Sequence, residues 1–410
     1  MRNIVIGGLV VGALVLGACD DKPSGGNAAP SASASSSAAP APSGSAPAAG
    51  SASAAASPSA SGSAGAASDK PKKAEGPKSH KARAKALAEA WSSHDATKVS
   101  ALYAEDAVIT RPGRTDLKGK ADIEKRATEN FAAFKDLTVV PGRVWEKDKK
   151  VAMFEWVDKG TNTGDWADVG IPKATNKAFG VVGASWIEVD DDGLIKTEVT
   201  FMDGSTLIGQ LAENKKNPVR AAITDAPDGA AHFESVAERT KSAKDDKEKA
   251  ELAKEAEAGK KNLEVEDKFI EEQNKNKLPE ALKHIADDYK YVDNTEEKDV
   301  VGKKAFETLL HGWFTAFPDL KVKSTSSFPV GNFVVEYFEY TGTQKGALGP
   351  IKATNKPVTL HQLEVDEFKD GKFVKSWAYW NKNELLTQLG VPLPTTEKEE
   401  KEKKEKKEKK

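Results

Sequence analysis

Two stretches of this chain repeat one order of apolar and polar positions. Each opens with helical spacing: Lys81 to Ser92 and Ala96 to Ala104 in the first stretch, Leu263 to Asn274 and Pro279 to Ala286 in the second. After a turn at Gly119 or Gly302 a further helix is predicted over 120–134 and 303–317. On it Phe131 and Phe134 stand three residues apart and share a face. Period-two alternation then takes over, with Val, Ile and aromatic residues between Gly- or Asn-rich turns. It predicts strands over 151–157, 178–189 and 194–201, with partners over 333–340, 358–365 and 373–380. Helices followed by a meander of strands indicate an α+β fold rather than a parallel α/β sheet.

The repetition reaches residue identity. Asn130 to Leu137 (NFAAFKDL) matches Trp313 to Leu320 (WFTAFPDL), and Gly160 to Gly164 (GTNTG) matches Gly342 to Gly346 (GTQKG). KATNK occurs unchanged at Lys173 to Lys177 and Lys352 to Lys356, Asp192-Gly193 matches Asp370-Gly371, and Gln210-Leu211 matches Gln388-Leu389. The offsets are 183, 182, 179, 178 and 178 in chain order, the drift that small deletions at turns leave behind. The period is far longer than that of a solenoid repeat, so a whole domain is duplicated. The first domain is placed at 79–212 and the second at 263–394, with a charged, partly helical linker over 213–262. Within it Ser242 to Lys260 reads as a solvated helix.

The ends have a different character. Arg2 precedes an apolar run from Ile4 to Leu16 that is too short to span a bilayer, which needs about 20 residues, and reads as an export signal over 1–18. Residues 19–78 are almost entirely Ala, Ser, Gly and Pro and cannot bury enough apolar surface to order. A coil of that length spans roughly 40 Å root-mean-square. Residues 395–410 form a Lys/Glu-rich tail with no packed face. The chain has a single cysteine, so no internal disulfide is possible, and a formal charge of −2 argues against a nucleic-acid binder.

That cysteine closes the segment Leu16-Gly17-Ala18-Cys19, which resembles the lipobox of bacterial lipoproteins. The resemblance implies cleavage before Cys19, acylation of Cys19, and a protein of the cell envelope anchored by lipid and facing the periplasm or exterior. The succession FxxFxDL, GTxxG, KATNK, DG and QL, seen twice, resembles the SnoaL-like, polyketide-cyclase-like family. That family has the fold of nuclear transport factor two. The resemblance implies two tandem cone-shaped domains, each with helices packed in a strongly curved, mostly antiparallel sheet around an apolar pocket. It also implies, in catalytic members, a His on the strand before the DG hairpin and an Asp at the end of the strand after it.

Neither copy keeps both groups. The second has His361 but carries Asn381 where the acid belongs; the first has Asp203, but the His position falls at Gly183 or a neighbour. Asn cannot change protonation state, so a binding or interaction role is expected, with an enzyme using Asp203 or His361 as the alternative. A structural protein with paired domains is a third reading. Ligand-binding candidates are the strand aromatics Trp156, Trp186, Phe201, Tyr337, Phe338, Trp377, Tyr379 and Trp380, together with Asn381. The remaining histidines show no metal-ligand spacing, and no cofactor motif is present. Expected partners are the membrane, through the lipid, and a small apolar ligand or an envelope protein. Pairing of the two domains within the chain, or a homodimer, is expected as well.

Overall fold

A computed structural model describes residues 75–166, 171, 173–212 and 218–393. Cys19, the export signal, the Ala/Ser/Pro/Gly tether and the Lys/Glu tail lie outside the described residues. The first domain runs α1 (His80–Ser92), α2 (Ala96–Ser100), β1 (Tyr103–Thr110), β2 (Leu117–Lys118), α3 (Gly119–Ala133), β3 (Thr138–Glu146), β4 (Val151–Thr161), β5 (Ala178–Val189), β6 (Ile195–Met202) and α4 (Gly204–Ala212). A linker follows with β7 (His232–Glu234), α5 (Val236–Lys241) and α6 (Asp246–Asn274). The second domain continues with α7 (Leu278–Ala281), a 3-10 turn, β8 (Ile285–Asp293), β9 (Val300–Val301), α8 (Lys303–Ala316), β10 (Lys321–Val330), β11 (Phe333–Thr343), β12 (Pro357–Lys369), β13 (Lys372–Tyr379) and α9 (Lys382–Leu389).

The two sheets share one strand order. It is β2-β1-β6-β5-β4-β3 in the first domain, with β7 added beside β3, and β10-β11-β12-β13-β8-β9 in the second. Register shifts between Pro141 and Val144 in β3 and between Ser324 and Ser326 in β10 act as bulges, which bend and twist a strand. The helices fill the concave side. In the first domain Ala84, Val99, Ile123 and Ala127 pack there on Tyr103, Ile109, Phe154 and Ile187. This is a two-domain α+β fold with cone-like curvature, as expected.

The repeated motifs turn out to be fasteners. Asp136 and Asp319, from the two FxDL segments, accept the backbone N–H groups of Thr161 (2.6 Å) and Thr343 (2.7 Å) at the GT positions. Asn162 and Gln344 are fully buried; their side-chain oxygens accept the N–H and hydroxyl of Thr175 and Thr354 in the KATNK loops. The Asn of each KATNK, Asn176 or Asn355, has φ of 55° or 58°, a left-handed conformation that Asn tolerates better than most residues. Gln210 and Gln388 each clasp the backbone N–H and C=O of one residue on the neighbouring strand, Gly180 or Thr359. The second Gly of each GTxxG is required by contact: a Cβ at Gly164 or Gly346 would lie 2.3 Å from a carbonyl oxygen at the end of α3 or α8.

Three sequence expectations change. The helices over 96–104 and 279–286 stop early, because strands β1 and β8 begin at Tyr103 and Ile285. The linker helix does not end at Lys260 but runs on as α6 to Asn274, so linker and second domain share one helix capped by Asp245. The linker also reaches back to the first domain, where Phe233 of β7 stacks on Trp145 at 4.2 Å.

The convex faces of the two sheets bury one apolar cluster between them. Trp145, Met153, Ala184, Trp186 and Phe201 meet Phe328, Val335, Leu363, Val365, Trp377 and Tyr379 there. Arg143 and Glu155 form a buried bidentate pair at 2.6 and 2.7 Å within it. Tyr379 of the second domain donates to Glu155 at 2.9 Å, and Trp377 lies 4.0 Å beneath the Arg143 guanidinium.

Candidate functional site

Each domain encloses a cavity between its helices and the concave face of its sheet. The first measures about 160 Å³ and the second about 100 Å³. Corresponding positions line both: Leu87, Ala88 and Trp91 of α1 match Phe269, Ile270 and Gln273 of α6, and Trp156 of β4 matches Phe338 of β11. Trp156 lies flat across Gly183 of β5, where a Cβ would meet the indole at 2.2 Å. Its Nε1 donates to Ser185 at 3.1 Å.

Basic side chains line the first cavity. Arg111, Arg114 and Arg126 border it together with Trp91, Trp156 and Trp166, and the Arg126 guanidinium sits 4.9 Å over the Trp166 ring. Its acids are individually placed. Glu198 accepts from Tyr103 and Ser185, both at 2.7 Å; burial raises its pKa and these hydrogen bonds oppose the rise. Asp158 faces the same cavity, and burial pushes its pKa up to about 7 against the nearby charge of Arg126.

The second cavity has the opposite character. The position of Arg111 is taken by Asp293 and that of Arg126 by Leu309, and no Lys or Arg lines it among the described residues. Glu266, Asp293 and Glu364 border it instead, beside Tyr291, Phe306, Trp313, Tyr340 and Trp380. Asp293 accepts from Thr295 and from the Trp380 indole at 2.9 Å; burial and Glu296 bring its pKa to about 6.

Residues 264–389 match the family described as SnoaL-like polyketide cyclase, and residues 84–198 match the family described as SnoaL-like domain. The chain carries two SnoaL-like domains in tandem. Solved structures match one domain's worth of chain each. AclR of Streptomyces galilaeus is 26% identical over 33% of this chain and 99% of its own, with a TM-score of 0.30. A phenazine biosynthesis-related protein of Pseudomonas aeruginosa is 19% identical over 35% and 94%, at 0.31. TsrD of Streptomyces laurentii is 20% identical over 32% and 96%, at 0.29. No curated protein sequence matches the chain.

The SnoaL-like acid–base positions do not meet in either cavity. Asp203 is buried at the start of α4, where its carboxylate accepts from Thr206 N–H and hydroxyl (both 2.7 Å) and from Lys382 N–H (2.9 Å). Burial raises its pKa; Lys382 and the Thr206 hydrogen bonds resist that. Asn381 caps α9 and returns the gesture, accepting Gly204 N–H at 3.2 Å while donating to Pro112 C=O at 2.8 Å. The two former acid positions thus tie the domains to each other through reciprocal helix caps. Asn381 also borders the first cavity. His361 borders the second cavity from β12, but alternation with the inward Leu360 and Gln362 turns its imidazole towards the other face. There its Nδ1 pairs with Glu384 at 2.8 Å, which raises its pKa, and its ring lies 6.1 Å from Tyr337.

The aromatic candidates divide accordingly. Trp156 lines the first cavity, and Phe338 and Trp380 the second. Trp186, Phe201, Tyr337, Trp377 and Tyr379 pack between the two sheets, so the expectation that they line a pocket is corrected. Alternation assigns them a face but not which face is the cavity. Residues that the sequence reading missed are Arg111, Arg126, Asp158, Glu198 and the acids of the second cavity, all brought together from separate elements. Also missed is a group at the sheet edge, where His232 of β7 stands 3.0 Å from Glu146 and 3.7 Å from Glu234.

Proposed function

We propose that this chain is a lipid-anchored envelope protein whose tandem SnoaL-like domains bind small molecules without turning them over. One observation carries the reading: Asp203 and Asn381 are spent on capping α4 and α9 at the domain junction, and the His361 imidazole is held by Glu384. A general base needs contact with the proton it moves, Asn381 cannot ionise, and the ionisable groups of Asp203 and His361 are already engaged by Thr206, Lys382 and Glu384. The first cavity is the binding site. Its volume is near the 150 Å³ or so that accommodates a single benzene ring, and its three tryptophans supply aromatic walls. Arg111, Arg114 and Arg126 favour a ring that carries a carboxylate or similar anion.

Equilibrium dialysis of the full chain with benzoate tests this. Saturable uptake of one benzoate per chain, unchanged by Asp203→Asn and His361→Gln and lost on Arg126→Leu, is the expected result. Uptake indifferent to Arg126→Leu contradicts it. The anchor is tested separately: Cys19→Ser should release the chain from the membrane fraction, and membrane retention of that variant would refute lipidation.

A second reading rests on Asp158. A carboxyl facing an enclosed cavity and titrating near neutrality is suited to proton transfer at a bound carbonyl compound. Turnover that follows one ionisation near pH 7 and vanishes in Asp158→Asn would make the first domain an enzyme.

A further inference from the structure

Beneath the second cavity three carboxylates from three different elements converge. Glu266 reaches in from α6, Glu336 from β11 and Asp366 from β12, and one oxygen from each lies within 4.8 Å of the other two. All three side chains are at most 2% exposed. Glu266 Oε2, Glu336 Oε2 and Asp366 Oδ2 are buried and accept no hydrogen bond from any described residue. Their other oxygens have partners where the structure records them: Ser324 donates to Glu336 at 3.1 Å and Ser376 donates to Asp366. Glu364 stands directly across the ladder from Glu336, a like-charge placement that normally weakens a sheet. The first domain needs none of this. Its corresponding positions, read through the shared strand register, are Ala84, Phe154, Ser185 and Ile187.

We propose that Glu266, Glu336 and Asp366 form a site for a hard divalent cation at the floor of the second cavity, with Glu364 contributing its charge. Three oxygen atoms within 4.8 Å of one another have a common centre no farther than about 2.8 Å from each, a small inward adjustment from the roughly 2.3–2.6 Å of calcium–oxygen bonds. An all-carboxylate donor set suits calcium, manganese or magnesium rather than zinc or copper. Protons are the competing neutraliser. A proton bridges two oxygens at most, whereas a divalent cation accepts all three converging donors; it cancels two of the four carboxylate charges, and retained protons cancel the remainder. Burial, followed by the neighbouring acids, raises the pKa values of Glu266 and Glu336, and burial brings Asp366 to about 7, as uncompensated like charges require. Entry is through the cavity, which Glu266 and Glu364 border.

The test uses Mn²⁺ alone as the probe on the full chain. The electron-paramagnetic-resonance signal of free Mn²⁺ is followed during titration, and thermal unfolding is followed in parallel with Mn²⁺ or Ca²⁺. The expected result is one tight Mn²⁺ per chain, displaced by Ca²⁺, with affinity reduced at least about tenfold in Glu336→Gln and in Asp366→Asn. Both variants remove a repelled charge at nearly constant shape, and far-ultraviolet circular dichroism confirms that they fold. Equal Mn²⁺ affinity in wild type and both variants would place the ion elsewhere and overturn the proposal. Failure of both ions to bind between pH 7 and 8 would mean that protons alone neutralise the cluster, and would overturn it too.

Discussion

The two domains share a frame and differ in what they enclose. Asp136 and Asp319, Asn162 and Gln344, Gln210 and Gln388 perform matching structural tasks at matching places. Yet the cavity wall holds Arg111 and Arg126 in one domain and Asp293 and Leu309 in the other. The floor holds Ala84, Phe154 and Ile187 in one and Glu266, Glu336 and Asp366 in the other. Duplication kept the residues that close loops and let those facing the cavity diverge in sign of charge. One chamber with arginines among its acids and one with acids and no Lys or Arg among the described residues suit two different ligands better than two copies of one.

The comparison breaks most severely at the shared junction. Glu155, whose counterpart is Tyr337, carries the buried charge that Arg143 needs. Glu155→Leu is expected to lose about 3–5 kcal/mol of stability, because it strands a buried guanidinium. Denaturant unfolding of the full chain measures this, and a loss below 1 kcal/mol or so would mean that the pair is solvated.

A smaller effect separates the floors. Acids whose folded pKa is raised cost nothing below their unfolded value; the penalty builds from there up to the folded pKa and is constant above it. Metal-free protein is therefore expected, as far as this cluster is concerned, to be most stable below about pH 4 and to weaken progressively towards pH 7 and above. Replacing Asp366, whose pKa is about 7, by the Ile of the first domain should flatten that slope. An unchanged slope in stability measured against pH would remove the cluster from the explanation.

The shared fasteners should respond alike. Asn162→Ala and Gln344→Ala each leave a half-buried Thr hydroxyl and backbone N–H without their acceptor and empty a buried polar position, an expected loss of about 1–3 kcal/mol in either domain. A large loss in only one would show that the repeated motif serves different ends. The smallest effect is at His361. Its pairing with Glu384 raises its pKa, so it adds stability below about pH 6.5 that fades as pH rises through the folded value. His361→Gln should remove that fading and shift stability by about 1 kcal/mol or less at pH 6, with no effect at pH 9.

Much of the frame was legible in the sequence, because its signals are local. Alternating apolar residues over 178–189 and 358–365, the DG turns and the KATNK loops each declare themselves within a few residues. Strands β1 and β8 hid behind exposed acids, Glu105-Asp106 and Asp287-Asp288, which interrupt alternation. Pro141 and Gly142 obscured β3, where the register shifts. The cavities were less legible for a specific reason. Polar alternation, as in Glu336, Glu364 and Asp366, ordinarily marks a solvent face. Here the apolar face meets the other sheet, so the polar alternates point into the cone. Only the junction, which no single strand announces, reverses that reading.

Two chambers with different linings should discriminate between ligands. Calorimetric titration of the full chain with benzoate and with Mn²⁺, in wild type, Arg126→Leu and Glu336→Gln, measures this directly. The prediction is a crossed pattern: Arg126→Leu weakens benzoate and spares Mn²⁺, while Glu336→Gln weakens Mn²⁺ and spares benzoate. Variants that affect both ligands alike, or neither, would contradict two chambers with separate ligands.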